Sequence, residues 1–268
     1  MKHVGTQQSG KSVANLENVS GANLLHNGCF RVNQRAVFGT VSLSAGQYGH
    51  DRWKAGASGC TYTFAASGGV TTLTITAGSL QQVIEGTDLQ SGTYVLSWGG
   101  TAQGKIGAGS FGASGVSAAV TGGANLTVEF GTGTLALAQI ERGNVPTLFE
   151  LRPIFIETSL CQRFFFRFVN TAVNTYYGGA VAAFSATRVF AVLNICPVQL
   201  RASPTVSGNN LLLYNNLFSL AATASAVAVY SGSGAAWTLD ITVSGGLTAG
   251  SFYMPALITG RVDYSADL

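Results

Sequence analysis

Val70–Thr76 (VTTLTIT) is the stretch that decides the fold class, because it sets Leu73 and Ile75 at alternate positions among threonines. A period of two is typical of a β-strand that buries one face. Further short runs of alternating or β-branched and aromatic residues flank it: Tyr62–Phe64, Tyr94–Trp98, Leu126–Phe130 and Leu135–Ile140. Glycine and Ser/Gly pairs separate these runs. The pattern predicts an antiparallel sandwich with one buried face on each sheet.

A second set of strand-like runs follows residue 169. These runs are Arg188–Leu200, Leu211–Tyr214, Ala224–Tyr230, Ala236–Val243 and Phe252–Leu257. Turns such as Ser231–Gly234 separate them, and no fixed period of a repeat array stands out. The sequence therefore predicts a second β domain.

Between the two sets the periodicity changes to that of a helix. Thr158 is a residue type that opens helices, and apolar residues then recur at spacings of three and four: Leu160, Cys161, Phe164, Phe165 and Phe168. We predict a short helix that joins two β domains.

Three consecutive phenylalanines, Phe164–Phe166, lie within the predicted helix. Successive helical residues are about 100° apart, so three neighbouring aromatic rings cannot all face one core. We expect at least one of them to meet another subunit. The expected oligomer interface comprises Phe164, Phe165, Phe166 and Phe168, and a plain interdomain core is the alternative.

The predicted fold is all-β, with two antiparallel β-sandwich domains joined by a short α-helix and preceded by an extended N-terminal arm. We place the arm at residues 1–22, the first domain at 23–153, the helix at 154–168 and the second domain at 169–268. The arm is rich in Gln, Ser, Asn and Gly, and its isolated apolar residues do not make a core. We expect a partner to order it through Val13, Leu16 and Val19.

The composition favours assembly over a free monomer. Charged residues make up 9% of the chain, and 35 of its 268 residues are glycine. With so few charged side chains, part of the protein surface must be apolar, and we expect such surface to be covered by partner chains. The net charge of +3 is too small and scattered for nucleic-acid binding. The polar N-terminus lacks the continuous apolar run of a signal peptide. The best candidate for a membrane helix, Leu211–Tyr230, is interrupted by Asn, Ser and Thr.

Gly5–Ser12 (GTQQSGKS) matches the phosphate-loop pattern, but its context is wrong. Only four residues precede Gly5, too few for a buried strand, and no second strand that ends in a magnesium-binding aspartate is evident. We interpret the match as a coincidence in a glycine-rich chain.

Signatures of catalysis and metal binding are also missing. The histidines His3, His26 and His50 lie early in the chain, and no metalloprotease, nucleophile-elbow or paired metal-ligand pattern occurs. We therefore predict no enzyme activity, no catalytic residue and no cofactor. Glu85 and Asp88 lie in a turn-like segment that fits a solvated loop or a structural calcium site. The cysteines Cys29, Cys60, Cys161 and Cys196 lack C-x-x-C spacing, which favours reduced interior thiols and leaves a Cys29–Cys60 bridge open.

Several segments resemble one family of virion proteins. The opening Asn23–Arg35 (NLLHNGCFRVNQR) with Tyr48–Trp53 (YGHDRW) is similar to the start of carbohydrate-binding-module-like jelly rolls in tail fibres of tailed bacteriophages. Ala138–Pro153 (AQIERGNVPTLFELRP) looks like the close of that domain. Pro197–Val206 and Val262–Leu268 resemble the small β domain that ends such chains.

The resemblance covers nearly everything after residue 22. It implies jelly-roll-like domains in a homotrimeric virion component that is assembled in the host cytoplasm, a tail fibre or receptor-binding protein. The N-terminal arm would attach it to other virion proteins, and its far end would contact host surface glycans. The alternative is a purely architectural part, such as a head decoration or head fibre, a collar or a baseplate connector. A glycan-cleaving tailspike is the third reading, and no catalytic carboxylate pair supports it.

Aromatic and amide side chains are the candidates for glycan contact. Adjacent Tyr176 and Tyr177 point to opposite faces of a strand, so one of them can stay exposed. Further candidates are Tyr214, Asn215, Trp237 and Trp53. For Trp53 we favour packing in a sandwich, with Asp51 and Arg52 pinning a loop, and for the others core or subunit packing is the competing interpretation.

Overall fold

The computed structural model describes residues 23–169, 175–176, 181–193, 196–214, 220–233 and 236–268. Contacts divide the chain into two compact units, and the division is not a single cut in the sequence. Within the described residues the first unit holds 23–30, 39–47 and 54–152, and the second holds 31–38, 48–53 and 153–268. Every described strand pairing is antiparallel, so the prediction of an all-β antiparallel fold is confirmed.

The first unit is built on eight strands. They are β1 (Val41–Leu43), β2 (Lys54–Ser67), β3 (Val70–Ile84), β4 (Gly92–Gly99), β5 (Gly104–Ile106), β6 (Val116–Val120), β7 (Leu126–Phe130) and β8 (Gly133–Arg142). The pairing order is β1-β2-β3-β8-β4-β6, and β7 pairs with both β3 and β5. All five runs that the sequence predicted as strands in this part of the chain lie in β2, β3, β4, β7 and β8.

β3 connects β7 and β8 within the sheet of the first unit, because its two halves pair with different strands. Leu73–Ile75 pair with β8, whereas Leu80–Ile84 pair with β7. Trp98 on β4 and Phe130 on β7 then meet edge to face with 5.1 Å between ring centroids, although β4 and β7 are not paired. The alternating residues Leu73 and Ile75 are 0% and 2% exposed, as the opening pattern predicted.

The register shift between β2 and β3 depends on the glycine pair Gly59 and Gly78. The register between these strands shifts between Ala55 and Cys60. Gly78 adopts φ +69°, and a Cβ there would lie 2.0 Å from the carbonyl oxygen of Gly59. Only glycine allows both the positive φ and the close approach of the two backbones.

In the part of the second unit that the structure describes there are also eight strands. They are β9 (Phe165–Val169), β10 (Thr175–Tyr176), β11 (Val181–Ser185), β12 (Arg188–Leu193), β13 (Thr205–Tyr214), β14 (Leu220–Ser233), β15 (Ala236–Val243) and β16 (Phe252–Ser265). The pairing order is β10-β16-β11-β12-β15-β14-β13, β9 pairs with β16, and β13 pairs with β16 as well. The pairings from β16 through β11, β12, β15, β14 and β13 therefore form a closed circuit.

The strands of this circuit alternate between core and solvent. Val189 and Ala191 on β12 and Leu239 and Ile241 on β15 are each 0% exposed. Their neighbours Arg188, Phe190, Asp240 and Thr242 must therefore project from the opposite, outer face. The inward set packs into the core of the second unit.

The predicted strands of the second unit are confirmed with one change of length. β15 has the predicted bounds, and the runs that begin at Leu211, Ala224 and Phe252 lie within β13, β14 and β16. The run predicted from Arg188 to Leu200 is shorter, because β12 ends at Leu193. Pro197 cannot donate a ladder hydrogen bond, which disfavours a strand through residues 196–200.

The helix α1 spans Ile154–Gln162, so it begins at the first residue of the predicted 154–168 helix but ends well short of residue 168. It begins four residues before Thr158, directly after Pro153, whose carbonyl oxygen accepts hydrogen bonds from the N–H groups of Ile156 and Glu157. The fixed φ of proline, here −53°, suits the chain entering a helix.

Phe165, Phe166 and Phe168 lie on strand β9, not on the predicted helix. β9 pairs with β16 from Phe165 opposite Ser265 to Val169 opposite Arg261. Aromatic residues favour strands, and the ladder with β16 overrides the helical spacing of the apolar residues. Within the described residues, no helix is long and apolar enough to cross a membrane.

Candidate functional site

Of the residues proposed for glycan contact, only Trp53 and Tyr214 have side chains within the described part of the chain. Trp53 is 0% exposed and Tyr214 is 9% exposed, so neither offers a ring face to a ligand. Tyr176 lies on β10 and Trp237 on β15, and both side chains fall outside the described part of the chain. Tyr177, Asn215, the arm residues Val13, Leu16 and Val19, and the segment Gly5–Ser12 also fall outside it.

Asp51 and Gln34 join two loops of the second unit. The Asp51 carboxylate accepts hydrogen bonds from the backbone N–H of Gln34 at 2.6 Å and from its side-chain amide at 2.8 Å. The same amide donates to the carbonyl oxygen of Phe165 at 2.9 Å. Burial raises the pKa of Asp51, and the positive charge of Arg35 opposes that shift. These contacts match the packing interpretation of the Asp51–Trp53 motif.

Two arginines cover the aromatic corner at the end of α1. The Arg52 guanidinium carbon lies 3.4 Å from the ring centroid of Phe164, and that of Arg35 lies 3.6 Å from the ring centroid of Phe165. Arg35 also pairs with the carboxylate of Asp267. Phe164 and Phe165 are only 1% and 2% exposed, so a single chain already covers both rings.

The other two aromatic residues of the expected oligomer interface behave differently. Phe166 and Phe168 are half-buried and pack against the core of the second unit. Phe166 also lies beside Tyr264, with 6.3 Å between ring centroids. Part of each ring is already used for packing within the chain.

An exposed row of aromatic side chains lies on the outer face of the second unit. Phe184 on β11 is 66% exposed, Tyr230 on β14 is 62% exposed, and Phe190 on β12 lies between them, half-buried. The centroid of Phe190 is 5.5 Å from that of Phe184 and 4.4 Å from that of Tyr230. We call Phe184, Phe190 and Tyr230 the aromatic row.

Strand register extends the same face by one more aromatic residue. Phe252 on β16 is 62% exposed and pairs with Ala182 on β11. Ala182 and Phe184 are two residues apart on one strand, so Phe252 shares their face. Strands β16, β11, β12 and β14 thus each supply an aromatic side chain to one side of the circuit.

One ion pair lies within this face. Arg188 donates to Asp240 with both arms of its guanidinium, from Nε to Oδ1 at 3.2 Å and from a terminal nitrogen to Oδ2. Asp240 is directly opposite Phe190 in the ladder, and the guanidinium carbon of Arg188 lies 5.3 Å from the Phe190 ring centroid. The hydrogen bond and charge of Asp240 raise the pKa of Arg188.

Flat apolar rings beside a few fixed polar groups are the usual composition of a small-ligand surface. The aromatic row supplies area for stacking, and the ion pair supplies both donors and acceptors. None of the residues of the aromatic row, nor Arg188 or Asp240, was predicted as a site residue from the sequence. The usable signal was the alternation Arg188-Val189-Phe190-Ala191, in which the small apolar residues face inward and Phe190 faces out.

The His50 imidazole and the four cysteine thiols are buried. Burial lowers the pKa of His50 from 6.5 to about 4. All four cysteines are free and buried, and burial raises the pKa of Cys60 to about 12 and that of Cys196 to about 11. Thiolate formation at these two residues is therefore disfavoured near neutral pH.

Within the described ranges, no three or more His, Cys, Asp or Glu side chains lie together in a group that could hold a metal ion. In the segment considered for calcium, Gly86–Asp88 forms a 3₁₀ turn and Asp88 is exposed.

Among the described residues, the aromatic row and the Arg188–Asp240 pair thus give the second unit an exposed face with the composition of a ligand-binding surface. Comparison of the chain with protein-family models and with curated proteins found no match.

Proposed function

We propose that this chain is a structural virion protein of a tailed bacteriophage, a trimeric tail fibre or receptor-binding protein that contacts host surface glycans. The motifs Asn23–Arg35 and Tyr48–Trp53 support the assignment through their resemblance to such proteins. In this proposal residues 1–22 attach the chain to other virion proteins. The first unit is a carbohydrate-binding-module-like jelly roll, and the second is a β-sandwich-like binding domain.

The aromatic row is the observation that carries the binding role. Two of its rings are more than 60% exposed, although apolar surface of this size normally finds cover. Ring faces can stack on the C–H face of a pyranose, and the Arg188–Asp240 pair can hydrogen-bond its hydroxyls. Each such contact is weak, but many copies on one particle raise the overall affinity about 10²- to 10⁴-fold over one site.

The experiment is a binding assay of the purified protein on susceptible cells and on their extracted polysaccharide. We expect Tyr230→Ala and Phe184→Ala to reduce binding at least about tenfold, because each removes a stacking surface. Phe38→Ala is the matched control, since Phe38 is also a phenylalanine and is 85% exposed. Equal binding by the unaltered protein and by all three variants would overturn the proposal.

A second candidate function is a purely architectural virion component without a receptor. Exposed apolar side chains outside the aromatic row favour it: Leu148 in the first unit is 95% exposed, and Phe155 on α1 is 69% exposed. Such residues suit permanent contacts with other virion proteins. Electron microscopy of labelled particles separates the two, because a distal position favours receptor contact and a proximal one favours scaffolding.

A further inference from the structure

The charge balance of the outer face bears on the kind of ligand that it can hold. Strands β11, β12, β14 and β15 together contain one cationic residue, Arg188, and one anionic residue, Asp240. These two residues pair with each other in a two-pronged contact. The face that carries the aromatic row therefore has no net charge.

An anionic ligand would compete with Asp240 for Arg188. A carboxylate or phosphate group binds arginine best through two parallel N–H donors, and Asp240 already accepts from Nε and one terminal nitrogen of Arg188. Removing Arg188 from Asp240 would leave Asp240 without its cation beside an incoming negative charge. The arrangement therefore disfavours acidic sugars.

An uncharged sugar can use the pair as it stands. A guanidinium has five N–H donors, and a carboxylate has about four lone-pair sites, so both groups retain hydrogen-bonding capacity after pairing. The Arg188 side chain is 41% exposed, which leaves part of it open to a ligand. Neighbouring hydroxyls can then donate to Asp240 and accept from Arg188 while the ring stacks on Phe190 or Tyr230.

We propose that the outer face of β11, β12, β15 and β14 binds uncharged hexopyranose units, selected against acidic sugars by the Arg188–Asp240 pair. This inference rests on the proposed glycan-binding function and adds the class of sugar. In it, Phe184, Phe190 and Tyr230 stack on the sugar, and Arg188 and Asp240 are the residues that determine specificity.

The test is a glycan array of neutral hexose oligosaccharides and of uronic-acid or sialic-acid oligosaccharides, probed with the full chain. We expect the unaltered protein to bind neutral sugars at least about tenfold better than acidic ones. Asp240→Asn should weaken neutral binding and increase acidic binding, because it frees the Arg188 guanidinium. Asp88→Asn makes the same change of charge at an exposed site in the first unit and should change neither.

Two further variants keep the test decisive if Asp240→Asn fails to fold. Arg188→Met with Asp240→Leu removes both charges, and it should lose neutral binding without gaining acidic binding. Tyr230→Phe keeps the exposed ring and should retain most neutral binding, whereas Tyr230→Ala should lose it.

The outcomes distinguish the two levels of the proposal. Preference of the unaltered protein for acidic sugars would overturn the specificity inference and leave the glycan-binding function standing. Absence of saccharide binding, together with cell binding that Tyr230→Ala does not affect, would overturn the proposed function itself.

Discussion

Gln34 donates two hydrogen bonds to one carboxylate, that of Asp51, at 2.6 and 2.8 Å. Asp51 is 0% exposed, so water does not replace these bonds when the acid is removed. We expect Asp51→Ala to lower the free energy of unfolding by about 3 kcal/mol, because it leaves polar groups of Gln34 without their acceptor. Urea denaturation followed by tryptophan fluorescence measures the change.

Asp88→Ala is the control for this prediction, because Asp88 is an exposed aspartate. Its effect should stay within about 0.5 kcal/mol of zero. A similarly small effect of Asp51→Ala would show that the Gln34 contacts do not stabilise the fold.

His50 should make the protein less stable in mild acid. Its folded-state pKa is lowered from 6.5 to about 4, so between these values the unfolded chain binds a proton that the folded chain does not. Stability therefore falls as the pH falls from about 6.5 to 4, by up to about 3 kcal/mol. Urea midpoints measured across this range give the slope.

His50→Gln removes the titrating group and should reduce that slope. Asp51 titrates with the opposite sign, because its pKa is raised by burial, and it remains in both proteins. The difference between the two slopes therefore isolates His50. Identical slopes would contradict the prediction.

The four cysteines should not react with thiol reagents in the folded protein. All four are buried and free, and burial raises the pKa of Cys60, Cys161 and Cys196. We expect no reaction with an Ellman-type reagent under native conditions and full reaction of all four thiols in urea. Only two reactive thiols after unfolding would instead indicate a bridge, such as the Cys29–Cys60 pair that the sequence left open.

Two glycines with similar φ angles separate steric cost from conformational cost. Gly78 (φ +69°) would place a Cβ 2.0 Å from the Gly59 carbonyl oxygen, whereas Gly68 (φ +58°) would place one in open space. Gly68→Ala should cost about 1 kcal/mol, the usual penalty of the left-handed region. Gly78→Ala should cost at least about 2 kcal/mol more, because the backbone must move.

Thermal unfolding of both glycine variants provides the comparison. An equal loss of stability in the two would mean that the backbone at the register shift between β2 and β3 relaxes freely around a methyl group at position 78. The steric account of Gly78 would then be wrong.

The proposed trimer should have three times the chain mass of 27.6 kDa in light scattering. Phe155 on α1 is 69% exposed in the single chain, and we expect Phe155→Ser to shift the population toward smaller species, because it removes apolar surface that the trimer would bury. Phe38→Ser is the control, with no expected change of mass. A monomeric unaltered protein at working concentrations would contradict the assembly.

Alternation along strands was readable from the sequence because each strand has one buried face. Leu73 and Ile75 in the first unit and the whole of β15 illustrate this, since period-two patterns need no long-range information. Phe164–Phe168 was misread because spacings of three and four fit a helix, and only the ladder with β16 assigns residues 165–169 to a strand.

The candidate site was less predictable than the fold. Phe184 and Phe190 lie on the paired strands β11 and β12, whereas Tyr230 is distant in sequence and joins them only through the order β12-β15-β14. Side-chain exposure was equally hard to predict: tryptophan is a residue type that can stack on sugars, but Trp53 is wholly buried. A single sequence carries neither strand order nor the side of a strand that another segment covers.

The closed circuit of strands in the second unit has a consequence for biosynthesis. β16 is its last strand, and it pairs with β11 at one place and with β13 along nearly the whole length of that strand. Until β16 leaves the ribosome, β11 and β13 each present an unpaired edge to other nascent chains. The circuit therefore cannot close before β16 has been synthesised, and a message truncated before Phe252 would release a sheet open at both sides.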